Sequence, residues 1–262
     1  MPLVYQIHTI FPSRIFRSIT VSLLTEITLK LFFQSDFSLI FYNADIAQVI
    51  SWRKGRRTRL DIVIIIPALN PDERLLRLTE KLRTLCDFPV IVVDDGSRRE
   101  TQYIFDRLSD IDNCEVLHHV KNQGKGTALK TGIARCIRAY LGCAGYVTAD
   151  ADLQHSPRDI LRVARALDNH PSSLILGTRN FSGANVPFKN RWGNRITSAV
   201  FRLSTGVRCP DTQTGLRGIP AGFAEDCLSV PGDRFEYEMN YLLTAARKKL
   251  SFEAVPIETI YL

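Results

Sequence analysis

The chain has 262 residues, 45% of them hydrophobic and 23% charged, with a formal net charge of +7. These are ordinary globular values, and the length suffices for one sizeable core with an appendage. Six cysteines (Cys86, Cys114, Cys136, Cys143, Cys209 and Cys227) fall at irregular spacings without a CxxC pair, which argues against a disulfide scaffold or zinc site and for free thiols in a reducing compartment.

The charge is unevenly distributed: residues 1–60 carry eight Lys and Arg against three Asp and Glu. A basic segment ahead of a nearly neutral body suits contact with an anionic surface, or a solvated linker. The apolar stretch from Ile15 to Phe33 is interrupted by Arg17, Glu26 and Lys30. It contains no uncharged span long enough to cross a bilayer, and it fits a signal peptide poorly. An amphipathic helix lying on a membrane or on the main domain, or a non-native extension, fits better. The basic run "RKGRRTR" (Arg53 to Arg59) marks a boundary, giving an extension over 1–59 and a domain over 60–262.

From Leu60 the pattern is regular. "LDIVIIIPALN" is a continuous β-branched run, expected for a strand covered on both faces. "PDERLLRLTEKLRTL" predicts a helix with Leu75, Leu76, Leu78, Leu82 and Leu85 along its apolar stripe. "PVIVVDDGS" predicts a second strand, "RRETQYIFDRLSD" a second helix, and "CEVLHH" a third strand. "GKGTALKTGIARCIRAYL" then reads as a helix and "GYVTAD" as the fourth strand. The next helix opens at Ser156-Pro157-Arg158-Asp159, with Ser as N-cap, Pro in the first turn and an acidic third residue. "SLILGTR" is the fifth strand. Strands alternating with helices at this spacing imply an α/β fold with a mostly parallel sheet flanked by helices.

In such a sheet, ligands bind beyond the carboxyl ends of the strands. Those ends carry Pro67-Ala68-Leu69-Asn70, Asp94-Asp95-Gly96-Ser97, "KNQGKG" (Lys121 to Gly126) and Asp150-Ala151-Asp152. Each is unremarkable alone as turn chemistry; together they point to a site. Asp150 and Asp152 sit at i and i+2, so in extended chain they project to one side and repel unless a cation or proton lies between them. With the amide oxygen of Gln154 they make an oxygen-only set, suited to Mg2+ or Mn2+ rather than zinc. "KNQGKG" lacks phosphate-loop spacing, and no GxGxxG follows the first strand, which disfavours a dinucleotide fold. Farther on, Arg179, Lys189, Arg191, Arg195, Arg217 and Arg234 offer forked or point donors for phosphate oxygens.

The motifs "PALN", "VVDDGS", "NQGKGTALKTGI", "DADLQHSP", "GTR" and "DTQTGLRG" resemble family 2 glycosyltransferases of the GT-A fold. Within that family they are similar to the dolichyl-phosphate and polyprenyl-phosphate mannosyl- and glucosyltransferases, from about Leu60 to Leu262. The resemblance implies that Pro67, Leu69, Val93 and Asp95 hold the nucleoside of a GDP- or UDP-linked hexose. Asp150 and Ala151 would line the donor pocket, and Asp152 and Gln154 would bind Mg2+ or Mn2+ on the diphosphate, with Asp152 the residue essential to catalysis. Arg179, Arg191, Arg217 and Arg234 would contact phosphates. The implied reaction inverts the sugar and delivers it to a polyprenyl phosphate, the enzyme lying peripherally on the inner face of the cytoplasmic membrane, with no nucleic acid partner. A glycan or small-molecule acceptor, or a catalytically silent membrane-associated subunit, are the alternatives. Three departures stand out, the first being that residues 1–60 match nothing in the family. Pro71 occupies the position after the "PALN" asparagine where an acidic residue is usual, and the chain stops at "VPIETIYL", short of the segment that usually follows.

Overall fold

The computed structural model describes residues 62–179 and 188–258, apart from the side chains of 188–193, 195 and 196. The expected N-terminal extension lies outside the described residues. The elements are β1 (Ile62–Ala68), α1 (Glu73–Leu85), β2 (Val90–Asp94), α2 (Gln102–Ser109), β3 (Cys114–His118), α3 (Lys125–Ala139), β4 (Gly145–Thr148), α4 (Pro157–Asn169), β5 (Ser173–Arg179), α5 (Phe188–Thr205), β6 (Arg217–Pro220), α6 (Ala224–Ser229), α7 (Glu236–Arg247) and β7 (Ser251–Ile257).

Seven strands form one sheet in the order β3-β2-β1-β4-β6-β5-β7. β1 pairs in parallel with β2 and β4, β2 with β3, and β5 with β7. β6 runs antiparallel between β4 and β5. The sheet is therefore mostly parallel, as the β–α alternation requires, with one reversed strand inserted. β6 and β7 add to the five strands legible in the sequence.

β1 shows why the core has two halves. Its side chains alternate, so Ile62, Ile64 and Ile66 enter one cluster with Leu75, Leu78 and Leu82 of α1, Phe105 of α2 and Val163 of α4. Val63 and Ile65 enter the other, with Leu129 and Ile133 of α3, Phe201 of α5 and Tyr237 and Tyr241 of α7. Burial of each such side chain contributes about 1.5–3 kcal/mol, and covering both faces explains the unbroken apolar run. Leu85 departs from the expected stripe. It closes α1 and remains 48% exposed, beyond the last turn that the sheet covers.

The helix after β4 starts as its sequence dictates. Ser156 Oγ accepts from Asp159 N at 3.1 Å and donates to Asp159 Oδ2 at 2.8 Å, with Pro157 in the first turn. Asp159 is fully buried and also receives Glu258 N at 3.2 Å, tying the chain after β7 to this helix start.

Candidate active site

The carboxyl ends of β1, β2 and β4 open into a cleft of about 420 Å³ lined by Pro67, Ala68, Leu69, Asp95, Asn122, Gly124, Lys125, Asp150, Ala151, Asp152, Arg234 and Phe235. The segments that build it are locked to one another by side chains. Asn70 N donates to Ser97 Oγ at 2.8 Å, and Asn70 Oδ1 accepts from Arg98 N at 2.8 Å, joining the turns after β1 and β2.

The two aspartates ending β2 divide their work. Asp94 Oδ1 accepts from Ser97 N at 2.8 Å and Oδ2 lies 2.9 Å from His118 Nδ1. Its carboxyl is held below the usual range: burial pushes it up, but the hydrogen bonds from Ser97 and His118 outweigh that. Asp95 is buried at the cleft wall, where Oδ1 accepts from Gln123 N and Oδ2 from Gly124 N at 2.9 and 2.8 Å. His119 braces it, with Nδ1 2.8 Å from Asp95 Oδ1 and Nε2 3.0 Å from Thr131 Oγ1. This carboxylate therefore shapes the loop that leads into α3.

At the end of β4 the cation beside Asp150 is a lysine. Lys125 Nζ lies 2.8 Å from Asp150 Oδ1 and 2.8 Å from Glu238 Oε2. Burial pushes the Asp150 carboxyl up, but the Lys125 charge, with His155 behind it, brings it below its ordinary value. Burial likewise pulls Lys125 down, and the charges of Asp150 and Glu238 raise it above its ordinary value. His155 Nδ1 accepts from Asp150 N at 3.4 Å, and burial, opposed by the charges of Asp150 and Asp152, holds its imidazole below its usual range. Gly215 lies directly under the carboxylate: a Cβ there would stand 2.7 Å from Asp150 Cγ.

Asp152 occupies a tight turn. Its Oδ1 accepts from Gln154 N at 3.0 Å, and the intervening Leu153 has φ +64°, a left-handed conformation costly for a bulky residue. Leu153 packs against the core, which holds the turn closed. The Asp152 carboxylate is half-buried in the cleft lining, and Gln154 is exposed beside it. Among the described residues no three His, Cys, Asp or Glu side chains converge as a metal cage. The hard oxygens of Asp152 and Gln154 fit a cation that takes its other ligands from a diphosphate and water, as Mg2+ commonly does.

The arginines separate by position. Arg234 lines the cleft. Arg179 does not reach outward: its Nε and Nη2 meet Asp211 Oδ2 and Oδ1 at 2.8 and 3.0 Å. Arg217 is a core residue, 1% exposed, donating to the carbonyls of Thr214, Glu238 and Thr212 and lying 4.8 Å from the Tyr241 ring centroid. Assigning it to a substrate phosphate is corrected accordingly, because those donors are spent on buried carbonyls. The Arg191 side chain lies outside the described residues. The Val93 side chain is fully buried, packed toward Gly132 of α3, and is not among the residues lining the cleft. Glu238, His155, Gly215 and Phe235 belong to the site without having been assigned to it, and Lys125, legible only as part of the "KNQGKG" rim, pairs with Asp150. The glycines around Lys125 and the acidic "FEYE" were the signals, but nothing local in sequence links them.

A wound α/β sheet with an acidic turn at a cleft beyond its strand ends defines the GT-A class of nucleotide-sugar enzymes. Residues 63–222 match Glycosyl transferase family 2, and the chain belongs to that family. It is 31% identical to the UDP-N-acetylglucosamine–dolichyl-phosphate N-acetylglucosaminyltransferase of Methanococcus voltae, over 76% of this chain and 86% of that protein. It is 27% identical to the polyprenol monophosphomannose synthase of Mycolicibacterium smegmatis, over 74% of this chain and 76% of that one. Its fold is similar to glucosyl-3-phosphoglycerate synthase from Mycobacterium tuberculosis, solved with Mn2+, UDP and glucosyl-3-phosphoglycerate. That TM-score is 0.55 at 16% identity, covering 83% of this chain and 76% of that chain.

Proposed function

We propose that this glycosyltransferase is metal-dependent and inverting, and moves a hexose from a GDP- or UDP-linked donor to a polyprenyl phosphate at a membrane surface. The observation that carries this reading is the cleft floor. Asp150 is neutralised by Lys125, while Asp152 brings a second carboxylate into the same cleft at a turn held in a strained conformation. The named acceptors of the two relatives, dolichyl phosphate and polyprenol, support the lipid side.

In this reading Pro67, Leu69 and Asp95 hold the nucleoside, Asp150 and Ala151 the sugar side of the donor, and Arg234 a phosphate. Asp152 and Gln154 hold Mg2+ or Mn2+, which when bound supplies positive charge to the leaving diphosphate. The acceptor's phosphate oxygen forms a bond to the anomeric carbon as the bond from that carbon to the diphosphate breaks. That oxygen is already anionic near neutral pH, so the chain needs no strong general base. Fixed charges around the leaving group are the main contribution, and such terms are often the largest in catalysis.

The reading also calls for access to a bilayer. Among the described residues no helix is long and apolar enough to cross a membrane; we place a peripheral contact at the inner face of the cytoplasmic membrane. α5 supports this. It has no acidic residue and carries Lys189, Arg191, Arg195 and Arg202. Its packed side holds buried Asn194 and Phe201, whereas Val200 and Leu203 are 59% and 88% exposed. An exposed apolar pair on a helix whose sequence is basic suits an interfacial contact with anionic lipid. We also place the glycosyltransferase domain over residues 60–262.

The test is a panel of labelled nucleotide sugars offered with polyprenyl phosphate and Mg2+ or Mn2+, followed by lipid extraction. Label from one donor in the lipid phase is expected. Transfer only to a soluble glycan or small molecule would replace the acceptor, and nucleotide binding without any turnover would make the chain a silent subunit.

A further inference from the structure

Nothing in the reaction above uses Glu238, yet it sits against the cleft floor. The side chains of Asp150, Lys125 and Glu238 retain only 29%, 19% and 14% exposure, and Lys125 Nζ bridges the other two at 2.8 Å each. At that depth ion pairs are screened far less than at the surface. Glu238 is also fixed through its backbone. Its carbonyl accepts from Arg217 Nη1 at 2.6 Å, and Arg217 is itself immobilised in the core. The approach of α3 to α7 that makes the bridge possible depends on Gly126, where a Cβ would stand 2.6 Å from Tyr237 Cβ.

Lysine carries a compact charge on a flexible stem. Beside a cleft that receives a diphosphate, an untethered ammonium would be drawn to the phosphates and would leave Asp150. Resting on the reading above, we infer that Glu238 is a positioning residue of the donor site: it holds Lys125 on Asp150 and so fixes the Asp150 carboxylate in the cleft floor. Glu238 touches no substrate in this account. Its effect is transmitted through one lysine, which makes it separable from a general structural role.

The test uses the full chain as Glu238→Ala, Glu238→Gln, Lys125→Met and the Glu238→Ala/Lys125→Met pair, each checked for wild-type melting. Nucleoside anchoring is untouched, so Glu238→Ala should lower kcat by about 30-fold while changing the donor KM by less than about 3-fold. Glu238→Gln keeps an oxygen acceptor for Lys125 and should recover activity to within about 5-fold of wild type. In the Lys125→Met background, Glu238→Ala should cost less than about 2-fold more, because its route of action is already gone. Wild-type kcat in Glu238→Ala, additive losses in the pair, or a loss that tracks lowered melting would overturn the inference. Amine-reactive labelling of Lys125 reads the tether without turnover: protection in wild type and reactivity in Glu238→Ala are expected, and equal reactivity refutes the tether. Should the wild-type chain transfer no sugar, the proposed function fails, and the labelling result still decides the tether.

Discussion

Arg179 and Asp211 meet at two points, Nε to Oδ2 at 2.8 Å and Nη2 to Oδ1 at 3.0 Å, with Asp211 fully buried. Asp211 Oδ1 also accepts from Gln213 N at 3.1 Å, so the pair fastens the end of β5 to the loop entering β6. Removing one partner of a buried pair leaves an uncompensated charge and costs about 3–5 kcal/mol. Arg179→Ala is therefore expected to lower urea stability by that order. Full stability with a selective loss of donor affinity would return Arg179 to phosphate binding.

Gly215→Ala tests the packing beneath Asp150. The added methyl would stand 2.7 Å from Asp150 Cγ, so the carboxylate must shift. Overpacking of this kind costs about 1–3 kcal/mol, and a displacement near 1 Å at a reacting centre costs about 100-fold in rate. The expected variant is folded, melts somewhat lower, and turns over about 100-fold more slowly. Unchanged kcat would mean that the Asp150 position is not critical.

Asp94 predicts a pH dependence of stability. Its folded value lies below the ordinary 3.8. The unfolded chain therefore binds a proton first as the pH falls, and the stabilisation is complete only above about pH 5. It is lost as pH drops through the lowered folded value. Asp94→Asn should cost about 1–3 kcal/mol at pH 7 and lose that deficit relative to wild type in acid. Denaturant titrations across pH 2–7 read it out, on the order of one curve per pH unit. A constant gap between the two proteins at all pH values would contradict it.

The exposed apolar pair of α5 predicts lipid binding. Val200→Glu with Leu203→Glu removes two side chains worth roughly 1.5–3 kcal/mol each if buried in the interface, and should weaken sedimentation with anionic vesicles at least about tenfold. Transfer to a short-chain, water-soluble polyprenyl phosphate should survive. Equal vesicle binding by the variant would remove α5 from the membrane contact.

Much of this architecture is legible in sequence because local rules and the fold agree. Ile62 to Ala68 reads as a doubly covered strand, and Ser156-Pro157-Arg158-Asp159 caps α4 as written. β6 escapes because "RGIP" is four residues with Gly and Pro, and its status as a strand comes from β4 and β5 on either side. The polar rim is legible as a rim, since turn residues and carboxylates gather at successive strand ends. Individual partners are not. An arginine in sequence does not reveal whether its fork meets a substrate phosphate or, like Arg179, a buried aspartate of the same chain. Nor do two aspartates at i and i+2 reveal that Lys125, from a different element, already neutralises one of them.

In the proposed function Asp152 holds the divalent cation used for sugar transfer to a lipid phosphate. The direct measurement is label moved from nucleotide sugar into the lipid phase by wild type and by Asp152→Ala, with and without Mg2+ or Mn2+. Transfer by wild type is expected only when the cation is present, and none by a variant that melts as wild type does. Equal transfer by Asp152→Ala, or transfer indifferent to chelation, would contradict it.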